Sequence, residues 1–128
     1  MKKIAVLLLL DLAVTGIYSA EQSWYKLLTG TIDSYPVTMS IIKFGKEVRG
    51  FYYYDKYKKP MDVYGNVKGD SITLYSYSGY DDSESFKGVL KGSNFSGKWD
   101  KPSKGKVFNF SLTADKKQSG NFEFVYVE

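Results

Sequence analysis

The chain has 128 residues, 18 of them basic and 14 acidic, with no His and no Cys. That inventory excludes disulfides, thiol nucleophiles, Ser-His and Cys-His sites and every His/Cys metal cage. The net charge of +4 is too mild for nucleic acid, which asks for a strongly basic, clustered face.

Lys2 and Lys3 precede an apolar run from Ile4 to Leu10, and Thr15, Gly16, Ser19 and Ala20 close the stretch with small or polar residues. This pattern predicts a secretory signal peptide over residues 1–20, although Asp11 interrupts the apolar run and Tyr18 occupies a position where a small residue is usual. The competing reading is a first strand or buried helix of a cytoplasmic protein. On the export reading the protein is periplasmic or secreted, and the mature chain has no transmembrane segment, because the run falls short of the roughly 20 apolar residues a spanning helix needs.

Residues 21–128 form a single expected domain with one Ala and five Leu, against 38 residues of Val, Ile, Thr, Phe, Tyr and Trp. β-Branched and aromatic side chains favour strands, so the expected fold is all-β. Alternating apolar and polar positions place strands near residues 24–32, 37–44, 47–55, 61–68, 71–77, 85–91, 94–99, 107–113 and 122–127. Eight or nine such strands joined by short turns predict a single-domain antiparallel up-and-down meander, closed into a barrel that removes its edges.

One turn recurs. Gly65-Asn66-Val67-Lys68-Gly69-Asp70-Ser71-Ile72 and Gly88-Val89-Leu90-Lys91-Gly92-Ser93-Asn94-Phe95 share a Gly, a Lys-Gly and a following apolar residue at the same spacing. Gly first in a two-residue loop supplies the positive φ of a tight hairpin. The resulting registers set Val67 opposite Ile72, and Leu90, Gly88 and Phe86 opposite Phe95, Gly97 and Trp99. A loop at Ser34-Tyr35 would set Ile32 opposite Val37, and the best match of the next two strands sets Gly50 opposite Gly65. In all of these, apolar or Gly residues share one face, as a half-buried sheet requires.

Val48-Arg49-Gly50-Phe51-Tyr52-Tyr53-Tyr54, Val63-Tyr64-Gly65, Phe86-Lys87-Gly88 and Phe95-Ser96-Gly97-Lys98-Trp99 together resemble a group of small exported, largely uncharacterised bacterial proteins with a Gly-aromatic β-meander. The architecture is loosely similar to avidin-like and lipocalin-like barrels, which hold small ligands, though no ligand-contact motif of either is present. Ser78-Gly79-Tyr80 resembles the Ser-Gly loop of periplasmic lysozyme inhibitors, without the disulfide common there.

Two aromatic populations carry the functional expectations. Gly30, Gly50, Gly65, Gly88 and Gly97 fall on the predicted core face, where they either let strands coil and make room for large rings or leave a partly open interior. In the second case Trp24, Tyr52, Tyr54 and Trp99 line an interior ligand site. Outside, Phe51, Tyr64 and Tyr75 are expected side by side across three strands, flanked by Tyr53 and Tyr77, either as cross-strand stabilisation or as a contact surface for a sugar or a protein.

The acidic group Asp81, Asp82 and Glu84 reads as a solvated loop, since it lacks the alternating oxygen ligands of a calcium loop. The lysines at 56, 58 and 59, at 98, 101, 104 and 106, and at 116 and 117 read as solvated turn charge. No paired carboxylates, nucleophile elbow or phosphate-cradling loop is recognisable, so no catalytic residue, metal site or cofactor is expected. The sequence therefore predicts a non-catalytic exported binding protein for a small apolar or glycan ligand. The alternative is an envelope protein-interaction module, such as an inhibitor or immunity protein, using the outer aromatic surface.

Overall fold

A computed structural model describes residues 21–77 and 83–124. Residues 1–20, Ser78-Gly79-Tyr80 with Asp81 and Asp82, and the end of the last expected strand lie outside them. The strands are β1 (Glu21–Ile32), β2 (Tyr35–Phe44), β3 (Glu47–Tyr54), β4 (Met61–Lys68), β5 (Ser71–Tyr77), β6 (Ser83–Lys91), β7 (Asn94–Lys101), β8 (Lys106–Ala114) and β9 (Gly120–Phe124). Each neighbour in sequence from β1 to β8 pairs antiparallel, and β8 pairs back onto β1, so the meander closes into an eight-stranded barrel. No helix among the described residues is long and apolar enough to cross a membrane.

The turns set most of the registers. Gly69 and Gly92 have φ of 62° and 59° at the first loop position, and the expected pairs Val67 with Ile72, Gly88 with Gly97 and Phe86 with Trp99 are all present. Two expected registers are displaced by two residues. Asp33, not Ser34, takes the positive φ of the first hairpin, at 55°, so Ile32 pairs with Tyr35 and Gly30 with Val37. Asp tolerates the left-handed region through its short polar side chain, so this turn forms without the Gly that marks the others. Between β3 and β4, Gly50 pairs with Val63 and Val48 with Gly65. A shift of two leaves the inward and outward faces unchanged, which is why alternation cannot choose between the two registers.

β9 pairs with β1, on the same side of it as β8 and further toward its start. Leu28 pairs with Ala114 and Tyr25 with Gly120, so three extra residues intervene on the β8–β9 side. They form the 3-10 turn Lys116–Gln118, whose first residue follows Asp115, and the Asp115 carboxylate accepts the Lys117 N–H at 2.9 Å. The backbone groups of Leu27 are still satisfied across this interruption. Its carbonyl accepts the Asp115 N–H at 2.8 Å, and its N–H donates to Ser119 Oγ at 3.2 Å.

The interior is filled by side chains, as expected for eight strands. Leu28, Ile32, Val37, Met39, Ile41, Val48, Ile72, Leu74 and Leu112 are buried around Tyr52, Phe86, Phe95, Trp99 and Phe110. Rings meet edge to face along this core, Tyr52 with Phe86 at 4.9 Å and Phe95 with Phe110 at 4.8 Å between centroids. Each fully buried large apolar side chain contributes roughly 1.5–3 kcal/mol. Gly88 is what admits one of these rings: a Cβ there would stand 2.8 Å from Phe110 Cζ and 2.3 Å from the Ser96 carbonyl oxygen.

The two ends of the barrel differ. One carries the two-residue turns Gly45-Lys46, Gly69-Asp70 and Gly92-Ser93, together with the β8–β9 interruption. The other carries the loop Asp55–Pro60, the connection between Tyr77 and Ser83, and the 3-10 turn Pro102–Lys104 with Gly105 at φ 61°. Two of the longer described connections, Asp55–Pro60 and the Pro102–Lys104 turn, lie there beside the two-residue turn Asp33-Ser34, and such connections on a rigid frame are where binding groups are usually placed.

Candidate ligand-binding mouth of the barrel

The inward-facing residues at the ends of the strands converge on an open cleft of about 440 Å³. β3 contributes Tyr54, β4 Met61, β6 Glu84, β7 Trp99 and Lys101, and β8 Lys106; Tyr57, Lys59 and Lys104 from the connections complete its lining. The Asp55–Pro60 loop is tied to the frame at its base. The Asp55 N–H donates to the Pro36 carbonyl at 3.0 Å, Thr38 Oγ1 donates to the Asp55 carboxylate at 2.7 Å, and Tyr57 and Lys58 N–H both donate to the Tyr54 carbonyl.

Glu84 forms the floor. It is 5% exposed, two residues before the core residue Phe86 and on the same face of β6. Its Oε1 accepts from the Tyr52 hydroxyl and from Trp99 Nε1 at 3.3 Å, and its Oε2 accepts from Lys101 Nζ at 3.3 Å. A buried carboxylate is tolerated when it is paired and hydrogen-bonded in this way. The expectation that Glu84 belongs to a solvated loop is therefore corrected: it is a buried acceptor that orients a tyrosine, a tryptophan and a lysine. Burial, and next the neighbouring Glu84 charge, push the Tyr52 phenol well above its usual range, so Tyr52 acts as a hydrogen-bond donor. The same two causes, burial first, raise Tyr54.

The four expected interior residues are not all brought together. Tyr52, Tyr54 and Trp99 meet at this end, with Tyr52 and Tyr54 ring centroids 5.9 Å apart and Trp99 stacked on Phe108 at 5.7 Å with planes 4° apart. Tyr52 is fully buried beneath the cleft, whereas Tyr54 and Trp99 line it. Trp24 lies near the start of β1, at the opposite end of the barrel, where Lys26 Nζ stands 5.0 Å over its ring.

The outer row is also rearranged. Phe51 pairs with Asp62 rather than Tyr64, because of the two-residue shift between β3 and β4, and the β3 neighbour of Tyr64 is Arg49. Tyr64 does pair with Tyr75, at 6.3 Å between centroids, and it stacks on Tyr77 at 5.9 Å with planes 25° apart. The hydrogen-bonded Tyr77 hydroxyl pushes the Tyr64 phenol up. Tyr64 and Tyr77 are 43% and 58% exposed, and with Arg49 and Asp62 they border a shallow hollow of about 380 Å³. Tyr53 pairs with Thr38, away from this stack, and Lys58 Nζ lies 5.8 Å over its ring.

No known family matches the chain, and no curated protein or solved structure is significantly similar to it. The functional reading therefore rests on the geometry of the barrel itself.

Proposed function

We propose that this chain is an exported, non-catalytic binding protein that takes a small ligand in the mouth of its barrel. The observation that carries the reading is the Glu84 arrangement. A buried carboxylate fixes Trp99 and Lys101 at the floor of an open cleft, giving convergent polar groups beside aromatic walls, which is the usual make-up of a small-molecule site. The barrel interior below Tyr52 is packed, so the ligand occupies the mouth and does not pass into the core.

Export is supported by Lys2, Lys3 and the apolar run Ile4–Leu10. Its test is the mass of the protein recovered from the periplasm or medium: cleavage near residue 20 is expected, and an intact Met1 overturns it. The binding reading is tested by native mass spectrometry of that material. A small molecule retained by the wild type and lost in Tyr57→Ala, whose side chain is exposed on the rim, supports it. Loss of the same molecule in Tyr64→Ala and not in Tyr57→Ala contradicts it.

A second reading is favoured by the exposed stack of Tyr64 on Tyr77 beside Tyr75. Such a patch suits an envelope protein partner, since tyrosine offers broad apolar area with a hydroxyl at its edge.

A further inference from the structure

We infer that the ligand of the mouth is an organic anion, with a phosphate, sulfate or carboxylate held by the rim lysines and an attached flat or apolar part against Tyr54 and Trp99. This rests on the mouth reading above and adds the chemical class. Among the described residues the lining contains four lysines and one carboxylate. Both oxygens of that carboxylate are already engaged by Tyr52, Trp99 and Lys101, so Glu84 offsets the charge of Lys101 and leaves the other three. Lys59, Lys104 and Lys106 form no ion pair among the described residues.

These three lysines arrive from separate parts of the chain: Lys59 from the β3–β4 loop, Lys104 from the 3-10 turn and Lys106 from the start of β8. All three are exposed at the rim of the same cleft, and among the described residues no carboxylate of the lining is left to answer them. Like charges gathered around a concave surface repel one another and raise the local concentration of anions. Ammonium groups also present several rotatable donors, matching the several acceptors of a phosphate or carboxylate. A bare inorganic ion would leave the ring walls unused, whereas the cleft is large enough for a ring with an anionic group attached. A cation is disfavoured on the same ground, and no group of three or more acidic side chains suited to a metal is present among the described residues.

The test uses the full chain and three probes: 1-naphthyl phosphate, its neutral counterpart 1-naphthol, and inorganic phosphate. Binding is followed by the indole N–H resonance of Trp99, assigned by comparison with Trp24→Phe. The expected result is that naphthyl phosphate binds about ten-fold or more tightly than either naphthol or phosphate. Its affinity falls several-fold between about 20 and about 300 mM NaCl. The double variant Lys104→Gln/Lys106→Gln binds naphthyl phosphate and naphthol alike, while its Trp99 resonance stays dispersed and reports an intact fold. If naphthol binds as tightly as naphthyl phosphate without dependence on salt, the mouth site stands and the anion inference falls. If phosphate binds as tightly as naphthyl phosphate, the flat part of the ligand is excluded. If no probe moves Trp99, both the inference and the mouth reading fall.

Discussion

The Tyr52 hydroxyl donates a hydrogen bond to the Glu84 carboxylate at the boundary between the packed barrel and its mouth. This contact joins stability to the candidate site, because the same carboxylate accepts from Trp99 and Lys101. Removing the acceptor strands three donors, of which the Tyr52 hydroxyl is fully buried and Trp99 nearly so. Glu84→Ala is expected to lower stability by about 3–5 kcal/mol, the range for breaking a buried charged pair. Tyr52→Phe leaves Glu84 two partners and is expected to cost about 1–1.5 kcal/mol. Urea unfolding of both variants and of the double variant measures the difference, and comparable losses in the two single variants would show that Glu84 is not the hub.

Alkaline stability follows from the same contact. The folded state holds the Tyr52 proton more tightly than the unfolded chain, whose phenols titrate near 10.0. A group raised in the folded state contributes stability that is complete below its unfolded value and is lost as the pH climbs through the folded one. Stability should therefore begin to fall above pH about 10, with a slope approaching 1.4 kcal/mol per pH unit for each such phenol. Tyr52→Phe removes one phenol from the linkage. Its unfolding free energy should decline less steeply between pH about 9 and about 11 than that of the wild type.

Two glycines separate close approach from turn geometry. At Gly88 a Cβ would meet the Ser96 carbonyl and the Phe110 ring, whereas at Gly92 nothing lies within 4 Å and only the φ of 59° is unfavourable. Gly88→Ala should cost about 3 kcal/mol or more, because strand backbone and a core ring must both move. Gly92→Ala should cost about 1–2 kcal/mol. Thermal unfolding of the two variants gives the order directly, and equal losses would mean that the barrel yields freely at Gly88.

At the interruption between β8 and β9 the Leu27 N–H donates to Ser119 Oγ. Ser119→Ala should expose that amide to solvent at a cost of about 1 kcal/mol. Amide hydrogen exchange at Leu27 should accelerate, while exchange at Leu28 in the barrel proper stays slow.

Much of this architecture can be read from residue pattern, and the exceptions have physical causes. Gly69 and Gly92 announce their turns because few other residues take a positive φ, and the pairings on either side follow from them. Asp33 takes the same conformation without such a mark, and the six-residue loop Asp55–Pro60 carries no tight turn to pin a register, so both pairings are ambiguous by two residues. Phe51 consequently drops out of the row containing Tyr64 and Tyr75. Glu84 is obscured by its surroundings, because Asp81-Asp82-Ser83-Glu84-Ser85 has the composition of a loop. The signal that reveals it is parity: counting back by two from Gly88 through Phe86 places Glu84 on the inward face. The convergence of Lys59, Lys104 and Lys106 was hidden for another reason, since only barrel closure brings these parts of the chain to one rim.

On the proposed reading, ligand enters the mouth and leaves the outer tyrosines untouched. Chemical-shift mapping of the labelled protein against the small-molecule fraction extracted from its native cells distinguishes the two surfaces most directly. Perturbations gathered at Tyr54, Tyr57, Met61, Lys101 and Lys104 are the predicted result, and perturbations confined to Tyr64, Tyr75 and Tyr77 would contradict it.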